Sequence, residues 1–333
     1  MKHSARITLI LVFVFALSQI MGLWIVSKYI DVSASINGQK VVWQDLPYKM
    51  ERPVVENEST SFIPIAIALI IGTLLVLLLI KLNKPWILKI WFLAVICLTL
   101  SFAFAAFMPQ MYALSLALIV GFWKMFRPNI FIHNISELFI YGGLAAIFVP
   151  LLNVFAAFML LLFISLYDII AVWHTKHMVK MAQFQSEQRM FAGLFIPYGN
   201  SGMTSSSPKE MGSNHEKPSR KTQKPQTISS KTDSPKHSLD KANEPLEGKA
   251  KGRVAVLGGG DMGFPLIFTG VVLKGAILSV GFGAAMLKVG VISICAAIAL
   301  YLLLLQGEKD KFYPAMPFLS AGCMVGYGIY LLL

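Results

Sequence analysis

Charged side chains are scarce in this sequence: Asp, Glu, Lys and Arg account for 14% of 333 residues, while 56% of the residues are hydrophobic. Soluble domains average about 25% charged and about 45–50% apolar residues. The shortage of charge therefore excludes a soluble globular protein. It predicts an all-α polytopic membrane protein, a multi-pass integral protein that we expect in the cell membrane.

Cysteine and the common hydrolase motifs are also scarce or missing. Each of the three cysteines, Cys97, Cys295 and Cys323, falls inside an apolar segment, which favours small buried side chains over disulfides or metal ligands. The sequence has neither a Gly-x-Ser-x-Gly nor a His-Glu-x-x-His motif, which argues against a serine nucleophile or a zinc protease. His174 and His177 offer two metal ligands without a third, so we predict no metal site and no cofactor.

Apolar runs dominate what is present, and most of the nine are long enough to supply the roughly 20 residues that cross a bilayer. The fourth and fifth merge with their neighbours at Pro109 and Pro150, so eight spans is the alternative to nine. The first is too long for a signal-peptide core and lacks a clear cleavage site, so we expect it to stay as a span. In chain order the nine windows are Ile7–Val26, Phe62–Leu82, Trp86–Met108, Met111–Trp123, Leu138–Val149, Leu151–Trp173, Phe264–Leu287, Val289–Leu305 and Ala315–Leu333.

The net charge of +12 is explained by topology better than by a nucleic-acid partner, which we do not expect. With the N-terminus in the cytoplasm, most Lys and Arg residues of the short connecting segments fall on the inside. Positive charge in short loops marks the cytoplasmic side. After nine spans, the C-terminus lies outside.

The chain divides into two helical blocks that flank a polar insert. Residues 1–173 hold six predicted spans and residues 253–333 hold three. Residues 198–252 are rich in Ser, Pro, Lys, Thr and Asn, which predicts a disordered cytoplasmic loop. Residues 174–197 have apolar and polar side chains at helical spacing, which predicts an amphipathic segment at the membrane interface.

Two carboxylates interrupt the apolar runs. Asp168 closes the sixth predicted span and Asp261 opens the seventh, so both lie towards the cytoplasmic side at similar depth. A carboxylate inside a membrane costs roughly 2.5–3.5 kcal/mol and usually has a function. One carboxylate of such a pair can activate a water while the other, protonated, polarises a peptide carbonyl. The pair predicts an aspartyl protease site that needs no metal.

Short motifs flank both carboxylates. Glycines before Asp261 allow an extended or left-handed backbone and a close approach of another chain. The β-branched segment Arg253–Leu257 predicts a strand, to whose edge an unwound substrate can add. The prolines at the start of the last span suit a first helical turn and can equally form a rigid turn that contacts substrate. The predicted substrate-binding or site-shaping residues are Tyr167, Gly258, Gly259, Gly260, Pro314, Ala315, Met316 and Pro317.

Together these motifs resemble the presenilin and signal peptide peptidase family of intramembrane aspartyl proteases. The family pattern is Tyr-Asp in span six, Gly-x-Gly-Asp in span seven and Pro-Ala-Leu before span nine; here it reads Tyr167-Asp168, Gly258 to Asp261 and Pro314 to Met316. The departures are Met316 in place of Leu and a glycine at the variable position, Gly259. The resemblance implies a catalytic dyad of Asp168 and Asp261, a site in the lipid bilayer, and transmembrane helices of other proteins as substrates. It leaves self-association into a homo-oligomer open.

Three other functions fit parts of the pattern. Paired intramembrane carboxylates also serve ion or proton-coupled transporters and channels, although the two blocks show no evident internal repeat of the transporter kind. Prepilin-type peptidases also use Gly-x-Gly-Asp, but they do not need the Tyr-Asp or Pro-Ala elements. Gly258-x-Gly260-x-x-Gly263 matches a dinucleotide-binding fingerprint, yet no acidic residue follows at the required spacing before Glu308.

Overall fold

The computed structural model describes residues 5–38, 41–53, 57–82, 84–127, 129–174, 192–198, 253–306 and 313–333. These residues form helices joined by short turns, together with one antiparallel two-stranded sheet. The helices are α1 Ala5–Lys28, α2 Val32–Gly38, α3 Phe62–Lys81, α4 Pro85–Ala105, α5 Gln110–Phe126, α6 Ile130–Phe148, α7 Val154–Ile169, α8 Gly259–Val280, α9 Phe282–Gln306 and α10 Met316–Leu332. The strands are β1 Gly193–Tyr198 and β2 Arg253–Gly258.

Seven of the described helices are long and apolar enough to cross a membrane: α1, α3, α4, α6, α7, α8 and α9. Helices α5 and α10 are apolar but shorter. The structure is therefore that of a polytopic, mostly helical membrane protein. The count of nine spans and the cytoplasmic N-terminus stay predictions.

Helix α8 occupies the centre of the bundle. It packs against α1, α6, α7, α9 and α10, and 67% of its most apolar window is buried. Helix α3 is the opposite extreme, with 6% of the same window buried, which leaves its apolar surface for lipid. From Met262 onward, most of α8 thus lies inside the bundle and not against the bilayer.

Local signals explain where the helices around the site begin. The Asn129 side chain accepts a hydrogen bond from the Phe131 N–H at 2.9 Å, and the Asn153 side chain accepts one from the Ala156 N–H at 2.8 Å. Each asparagine satisfies a donor that the first helical turn leaves unpaired, as an N-cap does. These caps fix the starts of α6 and α7.

Several predicted boundaries were wrong. Helix α6 begins at Ile130 and not near Leu138, so it includes polar residues that the apolar window left out. Helix α8 ends at Val280, because Gly281 has φ +78° and turns the chain into α9. Residues 193–197 form most of β1, where the sequence predicted the end of an amphipathic helical segment. The rest of that segment, apart from His174 and Ala192, lies outside the described residues. So does the predicted loop at 198–252, apart from Tyr198, which ends β1.

The predicted strand before Asp261 is confirmed, and it extends one residue further, to Gly258. It pairs with β1 so that Gly193 lies opposite Gly258 and Tyr198 opposite Arg253. The ladder continues into the helix, because the Gly259 N–H donates to the Ala192 carbonyl at 3.2 Å. Sheet and helix α8 are therefore joined without a loop, and the sheet sets the position of the first helical turn.

Candidate active site

Asp168 lies at the end of α7, one turn above the Ser165 hydroxyl, and its side chain is buried with 6% exposure. Its Oδ2 accepts a hydrogen bond from the Met316 N–H at 3.1 Å, and the carboxylate also accepts one from the Ala315 N–H. Both donors belong to the start of α10. The chain after Asp168 widens into a π-helical turn, Ile170–His174, a local irregularity that is common at functional sites.

The start of α10 explains why a carboxylate is stable at this buried position. Ala315 is the N-cap residue and has no side chain that can cap the helix. Pro317 follows in the first turn, where its missing N–H costs nothing. The remaining N–H groups carry the positive end of the helix dipole, so the distant Asp168 supplies the cap that the local sequence lacks. Pro314 and Met316 are buried beside it.

Asp261 is the third residue of α8, after the N-cap Gly258. Its half-buried carboxylate accepts a hydrogen bond from the Gly258 N–H, which is one half of a capping box. Pro265, four residues on, lacks the N–H that the Asp261 carbonyl would normally receive within a helix. The Asp168 and Asp261 carboxylates are close enough to interact electrostatically. The fold thus brings together two acids that are far apart in sequence.

The glycines before Asp261 differ in what they do. A Cβ at Gly259 would lie 2.7 Å from the Tyr141 hydroxyl oxygen and 3.3 Å from the Ala192 carbonyl, whereas at Gly260 the nearest atom would be an ordinary 3.6 Å away. A Cβ at Gly258 would lie 3.1 Å from the Asp261 Oδ2. Gly259 is therefore the most tightly packed of the three, against two other segments of the same chain. Of the two predicted backbone conformations, the extended one is found: Gly258 has φ −66° and ψ 147°, and none of the three glycines has a positive φ.

Side chains of α6 occupy the outer edge of β1. The Asn134 amide donates to the Phe195 carbonyl at 2.7 Å and accepts from the Phe195 N–H at 3.0 Å. His133 Nε2 donates to the Gly193 carbonyl at 2.7 Å. These bonds replace a neighbouring strand and close that edge of the sheet.

The opposite edge, along β2, follows from the register. In an antiparallel pair, opposing residues either exchange hydrogen bonds or both turn their backbone groups outward. Phe195 turns its groups towards Asn134, so Val256, its partner across the ladder, turns its N–H and carbonyl away from β1. Val256 is also exposed at 48%. The edge of the sheet along β1 is therefore covered by side chains of α6. Along β2, the N–H and carbonyl of Val256 point outward from the sheet.

The Tyr167 hydroxyl bonds a side chain of another helix. It donates to the Thr73 hydroxyl of α3 at 3.0 Å. This bond ties α7 to the least buried long helix of the bundle. Tyr167 thus lies beside Asp168 in the chain while its hydroxyl contacts a different element.

Three further polar contacts near the acids were not foreseen from sequence. The buried Gln19 of α1 donates to the Met262 carbonyl at 3.0 Å. The Ser165 and Ser320 hydroxyls hydrogen-bond at 2.8 Å between α7 and α10. Tyr141 packs on the first turn of α8. Each of these polar residues is visible in the sequence as an interruption of an apolar run. The residue that it contacts on another helix is not visible there.

The described residues contain no group of three or more His, Cys, Asp or Glu side chains that could hold a metal ion. The three cysteines are free. Lys274 of α8 pairs with Glu58 at 3.0 Å. The hydrogen bonds described for the two acids come from backbone N–H groups.

Comparisons with known proteins bear on the family and on the fold. A family model described as signal-peptide peptidase, presenilin aspartyl protease matches residues 21–333. No curated protein matches the sequence, whereas 10 chains of solved structures match. One of them, a presenilin family intramembrane aspartate protease, has 16% identity and a TM-score of 0.54, covering 96% of this chain and 94% of its own. At that identity the likeness shows a shared fold.

Proposed function

The chain belongs to the signal-peptide peptidase and presenilin family of aspartyl proteases, and on that premise we propose that it cleaves peptide bonds in transmembrane helices through Asp168 and Asp261. One observation carries the proposal. The only backbone-capped carboxylates inside the described spans are these two, and they interact electrostatically across α7 and α8.

The proposed chemistry uses both acids as one unit. Two neighbouring carboxylates share a proton, because both cannot ionise at short range. The ionised member takes a proton from a water that attacks the scissile carbonyl, and the protonated member donates a hydrogen bond to the carbonyl oxygen. The tetrahedral intermediate then collapses as the leaving nitrogen is protonated. Backbone N–H groups of Ala315, Met316 and Gly258 orient the two carboxylates.

The sheet supports a binding mode for the substrate. A transmembrane helix pairs its amides internally, so the scissile bond becomes accessible only after local unwinding. An unwound segment can pair with the outward N–H and carbonyl of Val256 as an added strand. Since β2 continues directly into α8, a strand bound there would run towards Asp261. We place the cut in the cytoplasmic half of the substrate, in accord with the predicted topology.

The family assignment does not favour the transporter or channel hypothesis. Localisation in the cell membrane, the cytoplasmic N-terminus and any homo-oligomer remain part of the proposal.

The proposal is tested by cleavage of a model single-span substrate in liposomes by the purified protein. We expect Asp168→Ala and Asp261→Ala each to abolish cleavage, and a hydroxyl-bearing transition-state mimic to inhibit the wild type. Cleavage that survives either substitution would exclude the dyad. If the folded wild type cleaves none of a panel of single-span substrates, ion or proton flux becomes the better hypothesis.

A further inference from the structure

A third carboxylate is buried within the bundle, away from the two aspartates in sequence. Glu137 of α6 has 1% exposure, and its Oε1 pairs with the Lys124 ammonium of α5, itself buried. The Tyr141 hydroxyl donates to the Glu137 Oε2. His133 Nε2 lies 3.8 Å from the same carboxylate while it bonds β1. Lys124, Glu137 and Tyr141 are called the α5–α6 network below.

The network contacts the first turn of α8. A Cβ added to Gly259 would lie 2.7 Å from the Tyr141 hydroxyl oxygen. A Cβ added to Gly263 would lie 3.8 Å from the Tyr141 ring. These glycines are two residues before and two residues after Asp261. Tyr141 also interacts electrostatically with Asp261. The phenol therefore connects the buried ion pair to the turn that carries the aspartate.

Because the α5–α6 network is buried, any net charge on it would act strongly on neighbouring groups. Removing one partner of a buried ion pair leaves an uncompensated charge, whose field is weakly screened inside a protein. The groups that face Glu137 are Lys124 from α5, and His133 and Tyr141 from α6.

Other groups on the neighbouring elements titrate or carry charge, among them Arg6 and Lys28 of α1. Cys97 of α4 faces α5 one turn from Lys124, at Gly121, and Lys89 lies near the start of α4. Around Asp261, the described titratable groups are Asp168 of α7 and Tyr141.

We propose, on the basis of the function proposed above, that the α5–α6 network is a positioning unit for the aspartyl dyad. Glu137 fixes Tyr141 against Gly259, which sets the direction of the turn bearing Asp261. Lys124 cancels the charge of Glu137, so that the network orients the turn without biasing the ionisation of the pair.

Opposite single-charge variants test the electrostatic half of the proposal. Glu137→Gln leaves Lys124 uncompensated, and a nearby cation favours ionised carboxylates, so the pH–activity profile should move to lower pH, by on the order of one unit. Lys124→Met leaves Glu137 uncompensated and should move the profile to higher pH. The neutral double variant, Lys124→Met with Glu137→Gln, should return it to the wild-type position.

Glu58→Gln is the matched control, because it breaks the Lys274 ion pair near the far end of α8, and it should leave the profile unmoved. A network of purely structural importance would lower the amount of folded protein without moving the profiles in opposite directions, and that result would overturn the electrostatic role. If a single-charge variant does not fold, the double variant still provides a test. A double variant that folds but has a shifted pH–activity profile would also overturn the electrostatic role.

Tyr141→Phe tests the positioning half and retains the ring. We expect kcat to fall about tenfold, with KM unchanged, since the substrate-binding edge of β2 is untouched. A wild-type kcat in Tyr141→Phe would exclude the role of the hydroxyl. These comparisons all require a wild type that cleaves, so failure of the proposed function is recognised separately, by an inactive wild type.

Discussion

The two aspartates are stabilised in different ways, although both accept hydrogen bonds from the start of a helix. Asp168 caps α10, a helix that begins 148 residues later in the chain. Asp261 caps its own helix through Gly258, and its turn is positioned by contacts of glycine with Tyr141 and Ala192. The first arrangement depends on donors contributed by a remote segment, and the second depends on close packing around a local turn. The Asp168 carboxylate is therefore sensitive to changes at the start of α10, whereas the Asp261 carboxylate is sensitive to changes in the packing around its own turn.

The largest effect should come from breaking the packing on the Asp261 side. In Gly259→Ala, the new Cβ meets the buried Tyr141 hydroxyl at 2.7 Å, and Tyr141 is fixed by Glu137. Displacement of the turn should lower kcat by about 10²-fold, since misplacement by about 1 Å costs that much. Gly275→Ala, where a Cβ meets no atom within 4 Å, is the matched control. Full activity of Gly259→Ala would show that the turn tolerates movement.

A smaller effect should follow from loosening the sheet that leads into that turn. Asn134→Ala removes the two hydrogen bonds between this side chain and the backbone of Phe195, at a cost of about 1–3 kcal/mol. We expect about 1–2 kcal/mol of this cost to weaken substrate binding, which raises KM about 5–30-fold, and we expect amide exchange at Phe195 to accelerate. Asn129→Ala removes an exposed hydrogen bond of the same helix, the N-cap of α6, and it should leave KM unchanged. Equal changes in KM would show that the sheet has no part in substrate binding.

The smallest effect sharpens the comparison on the Asp168 side. Asn caps a helix about as well as Asp, whereas Ala forfeits about 0.5–2 kcal/mol. Asp168→Ala should therefore be less stable than Asp168→Asn, since the side chain caps both Ala315 and Met316. The same pair of variants at Asp261, which caps Gly258 alone, should differ less. Thermal unfolding in detergent measures both differences, and a larger gap at Asp261 would contradict the assignment.

The sequence predicted the helical membrane fold, both acids and the strand before Asp261, because each depends on local chemistry. An acid in an apolar run and a β-branched pentapeptide are visible without knowledge of the tertiary structure. The contact between Tyr141 and Gly259 was not predictable, since it joins helices that the chain order does not pair. The end of α8 was missed for a related reason: Gly281 lies among other glycines in an apolar run, and only its positive φ distinguishes it.

Glu137 illustrates a different limit. An apolar window that began at Leu138 placed this residue at the edge of a span, where a charged side chain costs little free energy. Helix α6 begins at Ile130, because Asn129 caps it, and Glu137 therefore lies two turns inside. Lys124 makes that position tolerable. A hydropathy window averages over such a pair, so a compensated charge is hidden from it until the partner helix is known.

The hydrogen bond from the Gly258 N–H to Asp261 provides the molecule with an internal reporter. An amide proton that donates to a carboxylate shifts its resonance when that carboxylate gains a proton or turns away. Selective ¹⁵N labelling of glycine would make this signal observable in a detergent-solubilised sample. The Gly258 amide would then record, in the absence of any substrate or turnover, the moment at which the aspartate leaves its resting orientation.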